Sequence, residues 1–273
     1  MDIPIRRSRL CGDPELELLE AEPLGRARAA ILFVHGAYTG AWCWEDFLRR
    51  FAARGFRALA VSLRGHGQSA GAERLHGWGL RDYGIDLGRA VAASGGEPVL
   101  IGHSMGAFLV QRYLAEGGVA RAAVQLCPVP LFGIGPASVA LAVSRPLLYA
   151  EMRALAEGRS RSRAALAELL FGGAVPRETV ETCFHRMQPE SRRALAELAL
   201  PLPPMAWHAR RVPQLVLAAE KDLLIPALQA ASAAALVGAE YRELPGLGHA
   251  AMLAPRRDQV MEAIVDWLAQ RGL

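Results

Sequence analysis

The sequence predicts an α/β fold with a mostly parallel central sheet, helices on both faces and one inserted run of helices. Three observations carry this prediction. Predominantly apolar runs recur at Ala29–Val34, Arg57–Leu63, Pro98–Ile101, Ala120–Cys127 and Pro213–Ala218, and strands buried on both faces read this way. Stretches with helical spacing alternate with them, as a parallel sheet with crossover helices requires. Three polar clusters fall just after predicted strands, Ser104 in its glycine turn, Glu220-Lys221-Asp222, and Gly246-Leu247-Gly248-His249, on the sheet edge where open α/β folds gather ligand-binding groups.

In chain order, the residues up to Glu20 alternate weakly and predict one or two edge strands. Ala29–Val34 is a strand ending at His35-Gly36. Asp46–Arg54 follows with helical spacing, Gly55 breaks it, and Arg57–Leu63 is the next strand. Arg64-Gly65-His66-Gly67-Gln68-Ser69 is a loop, and Trp78–Ala93 is helical again. Pro98–Ile101 then runs into Gly102-His103-Ser104-Met105-Gly106, Met105–Leu114 keeps helical spacing, and Ala120–Cys127 is a strand. From Pro128 to Arg211 the rhythm changes: proline and glycine punctuate short helical patterns at Leu147–Ala156, Ser162–Leu170, Arg177–Met187 and Ser191–Leu198, with no strand among them. Residues 1–127 and 212–273 are therefore expected to form the core, with 128–211 a helical cap, or lid, within the same folding unit. Alternation resumes with Pro213–Ala218 as strand, Pro226–Leu236 as helix, Glu240–Leu244 as strand and Arg257–Gln270 as a closing amphipathic helix.

At 273 residues, 52% hydrophobic and 21% charged, the chain suits one large domain with an insertion. The net charge is +4, but every positive residue except Lys221 is an arginine and they are scattered, which argues against a nucleic-acid face. The densest cluster, Arg159-Ser160-Arg161-Ser162-Arg163, reads as a solvated loop, with a phosphate or acyl-carrier contact as the alternative. Cys11, Cys43, Cys127 and Cys183 form no Cys-x-x-Cys pair, so buried thiols in a reducing compartment are expected, and no metal or other cofactor. Arg6, Arg7 and Arg9 have no apolar segment behind them, and no run approaches the roughly 18 apolar residues of a membrane span. The expectation is a cytoplasmic protein with no membrane partner.

The chemistry centres on Ser104. A Gly-x-Ser-x-Gly between a buried strand and a helix describes a corner so tight that Gly102 and Gly106 are needed, and the corner lifts the hydroxyl above the sheet. The helix behind it aims free N–H groups at any negative charge formed there. A hydroxyl is a weak nucleophile and needs a base. His249, after the strand ending at Leu244, suits that role because an imidazole titrates near working pH. A carboxylate must orient the ring, and Asp222 is assigned, with Glu220 as competitor. The oxyanion donors are expected to be the N–H groups of Met105 and Ala37. Tyr38, Phe132, Phe171, Met187, Met205 and Trp207 are candidates for an apolar substrate pocket, although packing of the cap explains each as well. His35, His66 and His103 adjoin glycine turns and are expected to hydrogen-bond backbone, whereas His76, His185 and His208 read as surface or cap residues.

At these residues the chain resembles the α/β-hydrolase fold family, from about Ala29 onward. Phe33-Val34-His35-Gly36 resembles the family's oxyanion motif, Arg64 to Ser69 its turn after the next strand, and Gly102 to Gly106 its nucleophile elbow. Asp222 with Pro226, and Gly248-His249, resemble its acid and base segments. The order Ser, Asp, His matches as well. Val34 to Trp44 (VHGAYTGAWCW) is similar to the esterase and hydroxynitrile lyase branch, whose lyases carry a threonine where Gly36 stands and a lysine where Ala250 stands. The resemblance thus implies a cofactor-free serine esterase with a helical cap, acting on a small-molecule ester. Thioester or carbon-carbon bond hydrolysis with the same residues stays open, as does a non-catalytic binding protein on this scaffold.

Overall fold

A computed structural model describes residues 3–157, 159, 162–200 and 212–273. Eight strands form one sheet: β1 (Arg6–Leu10), β2 (Leu16–Ala21), β3 (Ala30–Val34), β4 (Arg57–Val61), β5 (Val99–His103), β6 (Ala122–Leu126), β7 (Gln214–Ala219) and β8 (Glu240–Leu244). Their spatial order is β1-β2-β4-β3-β5-β6-β7-β8. The first two strands run antiparallel to their neighbours and the rest are parallel.

Strand alternation explains the two layers. On β3, Ile31 and Phe33 point to one face, where they meet Phe47 and Phe51 of α1 (Glu45–Ala53) and Ile264 and Trp267 of α10 (Asp258–Ala269). Leu32 and Val34 point to the other, against Tyr83 and Leu87 of α2 (Leu80–Ala93) and Phe108 and Leu109 of α3 (Met105–Ala115). Both faces are apolar because both are covered. Phe33 anchors an aromatic cluster, 4.8 Å from Trp44 and 5.5 Å from Phe51 between ring centres. On the loop after β4, Arg64 grips Asp86 of α2 through both carboxylate oxygens.

Between β6 and β7 lie five helices and no strand among the described residues: α4 (Gly135–Ser144), α5 (Pro146–Ala156), α6 (Arg163–Phe171), α7 (Arg177–Arg186) and α8 (Arg192–Ala199). Ser162 and Ser191 cap α6 and α8 through their hydroxyls. The helix α9 (Ala227–Val237) packs on β7 and β8. No helix among the described residues is long and apolar enough to cross a membrane.

Two elements differ from the sequence expectation. The strand β2 is not an edge: it lies between β1 and β4 and is buried at every position. Its polar residues pass as solvent-facing in the sequence, yet Glu17 is held by Arg7 and Ser62, and Glu20 by Arg6 and Arg57. The helix α4 has no counterpart in the expected set, because GPASVALAVS is apolar around its whole circumference and shows no amphipathic period. Cys43, Cys127 and Cys183 are buried thiols, whereas Cys11, in the turn between β1 and β2, is exposed.

Candidate active site

Parallel pairing brings three strand ends together. Val34 of β3 lies opposite Gly102 of β5, and His103 opposite Leu126 of β6, so the residues that follow, Gly36-Ala37, Ser104-Met105 and Cys127, emerge side by side. Ser104 adopts φ +52°, ψ −116°, a conformation L-residues rarely hold, worth roughly 1–3 kcal/mol of strain. The corner is enforced from both sides. A Cβ on Gly102 would lie 2.5 Å from the backbone of Ala107, and one on Gly106 would overlap the carbonyl oxygens of Val34 and His35. Met105 opens α3, so its N–H has no acceptor within the helix.

The hydroxyl Oγ of Ser104 is 3.0 Å from Nε2 of His249, and Nδ1 of His249 is 2.8 Å from Oδ2 of Asp222. The second oxygen of Asp222 accepts the N–H groups of Leu224 and Ile225, each at 2.8 Å. A carboxylate is acceptor-only, so Nδ1 carries the proton and Nε2 offers its lone pair to the serine. All three residues are buried, with Ser104 the most accessible at 9%. The arrangement can take a proton from the hydroxyl, hold it on the ring and return it. Glu220 faces outward instead, and its carboxylate accepts the N–H of Gly246 at 2.6 Å.

Two further groups support this set. His103, buried, donates from Nε2 to the carbonyl of His249 at 2.8 Å. Burial, together with the neighbouring His249 ring, holds His103 well below the ordinary histidine range, so it stays neutral. The thiol of Cys127 faces the Asp222 carboxylate; burial and that negative charge push it far up, so it remains an S–H donor. Cys127, Asp222 and His249 place potential metal-ligating atoms within 4.8 Å of one another. Neither contact has a local sequence signature: His103 lies 146 residues from its partner.

The other expected residues are placed as follows. Ala37 follows Gly36, whose carbonyl accepts from the Thr39 hydroxyl at 2.9 Å and from His35 Nδ1 at 2.8 Å. Peptide planarity then turns the Ala37 N–H the opposite way. Burial, then the charge of His66, pushes His35 down to about 3, so it is neutral and its Nε2 accepts the N–H of Leu63. Tyr38 is half-buried beside Gln188, which donates from its backbone to the Tyr38 carbonyl at 3.0 Å. Phe132 and Met187 are half-buried, while Phe171 is buried in the main hydrophobic cluster. The chain around Phe171 reaches the histidine loop, where Ala250 N–H donates to Leu170 at 2.7 Å. Met205, Trp207 and His208 lie outside the described residues.

A sequence profile of the alpha/beta hydrolase family matches residues 31–263. Among curated proteins, a non-heme haloperoxidase from Rhodococcus erythropolis is 37% identical over 94 residues, 34% of either chain. A rice protein (Oryza sativa subsp. indica) named "Probable esterase PIR7A" is 40% identical over 78 residues, 28% of this chain and 29% of that one. These matches span about a third of the length of the relatives. Among solved structures, an esterase from Exiguobacterium antarcticum superposes with a TM-score of 0.73 at 17% identity, covering 96% of this chain and 98% of that one, a likeness of fold.

Proposed function

Because the chain belongs to the alpha/beta hydrolase family, we propose that it is a serine hydrolase cleaving a carboxylic ester of a small or medium apolar substrate through an acyl-enzyme. The observation that carries this reading is the continuous relay from Ser104 Oγ to His249 and on to Asp222, at 3.0 and 2.8 Å. The names of the rice relative and of the Exiguobacterium structure agree with it.

In this reading Ser104 attacks the ester carbonyl while His249 Nε2 takes its proton. The tetrahedral oxyanion is met by the N–H groups of Ala37 and Met105, donors fixed in place before charge develops. His249, now an imidazolium stabilised by Asp222, protonates the leaving alcohol, and the C–O bond breaks. Water then enters, gives its proton to the same nitrogen, attacks the acyl carbonyl and releases the acid as the proton returns to Ser104. Residues 128–211 act as a cap over this edge of the sheet, with Tyr38, Phe132 and Met187 contributing to the apolar wall around the acyl group.

The test is labelling. A fluorophosphonate is expected to modify Ser104 stoichiometrically, located by peptide mass spectrometry, because only an activated hydroxyl reacts at a useful rate. No modification, or modification elsewhere, would refute the assignment. A panel of esters and thioesters of increasing chain length then defines the bond and the acyl group.

One position predicts an effect without removing any group of the relay. A Cβ on Gly36 would lie 2.8 Å from Nδ1 of His103 and 3.1 Å from Cβ of Ser104. His103 holds the His249 backbone, so Gly36→Ala is expected to shift nucleophile and base together. A displacement near 1 Å can cost roughly 10²-fold in rate, and kcat is expected to fall by about that factor. Steady-state kinetics on the folded variant would check it, and an undiminished kcat would show that the site tolerates the methyl group.

A further inference from the structure

Glu190 lies between α7 and α8, 3% exposed, and both its oxygens are fully engaged. Oε1 accepts the Tyr83 hydroxyl at 2.7 Å and the Ser191 N–H at 2.6 Å. Oε2 lies 3.0 Å from Nε2 of His66 and accepts the N–H of Tyr38 at 3.4 Å. The other ring nitrogen of His66 is 3.1 Å from the Arg64 carbonyl, which can only accept. Each nitrogen therefore faces an acceptor, and both carry protons in an imidazolium. A buried ion pair is seldom the most stabilising filling for such a space, so its location asks for another explanation.

That location is the oxyanion loop. Tyr38 directly follows Ala37 and has φ +64°, a strained conformation for a residue with a side chain. Its N–H is held by Glu190 and its carbonyl by the backbone N–H of Gln188, so the strained residue is pinned at both ends. The Gln188 side chain ties the same segment to the loop after β4, accepting from Gly67 N–H at 2.7 Å and donating to the Gly65 carbonyl at 2.8 Å. The Ala37 N–H thus gets its direction from two sources. His35 and Thr39 fix the carbonyl of its own peptide, and Glu190 with Gln188 fixes the residue that follows.

Resting on the ester-hydrolase reading above, we infer that Glu190, paired with His66, is a positioning residue that holds the oxyanion loop and thereby aims the Ala37 N–H at the reacting carbonyl. Substrate binding does not need that aim. The transition state does.

The charge state of the pair sets a pH window. Facing His66 and Glu190 are Tyr83 and Asp86 from α2, the neutral His35 from the end of β3, Tyr38 from the loop after it, and Arg64, whose charge Asp86 matches. Burial opposes the charge on His66, but Glu190 outweighs it and the ring is held above the ordinary histidine range. Burial likewise opposes the Glu190 charge, but His66 and the donors around it hold the carboxyl below the ordinary range. A raised histidine contributes below its unfolded pKa and loses that contribution as pH rises through the folded value. A depressed carboxylate contributes above its unfolded pKa and loses that contribution as pH falls through its folded value. The clamp is therefore strongest between the two and weakens on the alkaline side as His66 loses its positive charge.

The experiment measures kcat and KM for a p-nitrophenyl ester across pH in wild type and Glu190→Gln, with kcat expressed per fluorophosphonate-titrated serine. Expected are a kcat about tenfold lower in the variant with KM changed less than twofold, and loss of the wild type's alkaline decline. An oxyanion donor typically contributes 10²–10³, of which misaiming forfeits part. Should the single variant not fold, Glu190→Gln/His66→Asn, which buries no lone charge, is expected to fold and show the same low, pH-flat kcat. Turnover that depends on Ser104, together with an unchanged kcat and alkaline limb in whichever variant folds, would overturn the role of Glu190 and leave the hydrolase reading standing. A wild type without turnover that depends on Ser104 would overturn both.

Discussion

Ser104→Ala is expected to abolish turnover of a p-nitrophenyl short-chain ester, by a factor on the order of 10⁶ in kcat, as loss of the nucleophile does in comparable sites. The substitution removes one oxygen whose partner is His249 Nε2. The backbone bonds that set the corner do not involve that oxygen: Ser104 N–H donates to Leu126, and the Ser104 carbonyl accepts from Phe108 and Val129. The variant should therefore fold and bind substrate, which separates chemistry from stability. In the proposed mechanism, residual rate above the uncatalysed reaction would come from binding and the two amide donors. Undiminished turnover would place the nucleophile elsewhere.

Asp222→Asn is the second large effect, on the order of 10⁴ in kcat. The reason lies in how the carboxylate is held. Leu224 and Ile225 both donate to Oδ1, so an asparagine at 222 must keep its oxygen there and turn its NH₂ toward His249. The histidine then accepts at Nδ1 and carries its proton on Nε2, where it faces the Ser104 hydroxyl with a hydrogen instead of a lone pair. The base is lost although its position is kept. Glu220→Gln is the control: that side chain contacts Gly246 on the outside of the loop, and turnover is expected to be unaffected. The reverse ranking of the two variants would make Glu220 the orienting acid.

These groups were legible in the sequence because each is announced locally. A nucleophile elbow needs glycines two residues either side of the serine, and the backbone contacts at Gly102 and Gly106 are the physical form of that requirement. Asp222 stands shortly after the apolar strand β7 and His249 in the glycine turn after β8, so their position could be read from pattern alone. Glu190 and His66 carry no such mark. They are 124 residues apart, one in a glycine-rich loop and the other before a capping serine, and only the chain's return after α7 joins them. The same limit hid the interior place of β2, where acidic residues are covered by arginines from other strands. It hid α4 too, whose uniform apolarity gives no period to detect. Local chemistry writes itself into neighbouring letters. Pairings across the fold do not.

Tyr38, Ser104 and Cys127 are, among the described residues, the non-glycine positions with positive φ, and they follow three neighbouring strands, β3, β5 and β6. Glycine at any of them would adopt the same turn without the steric conflict of a Cβ. A lineage hardened only against heat would thus find substitutions of this kind within reach, and each would remove a side chain from the reactive edge. Thermal resilience and chemical competence pull in opposite directions at the same three corners, so improvements in endurance should accumulate elsewhere in the molecule.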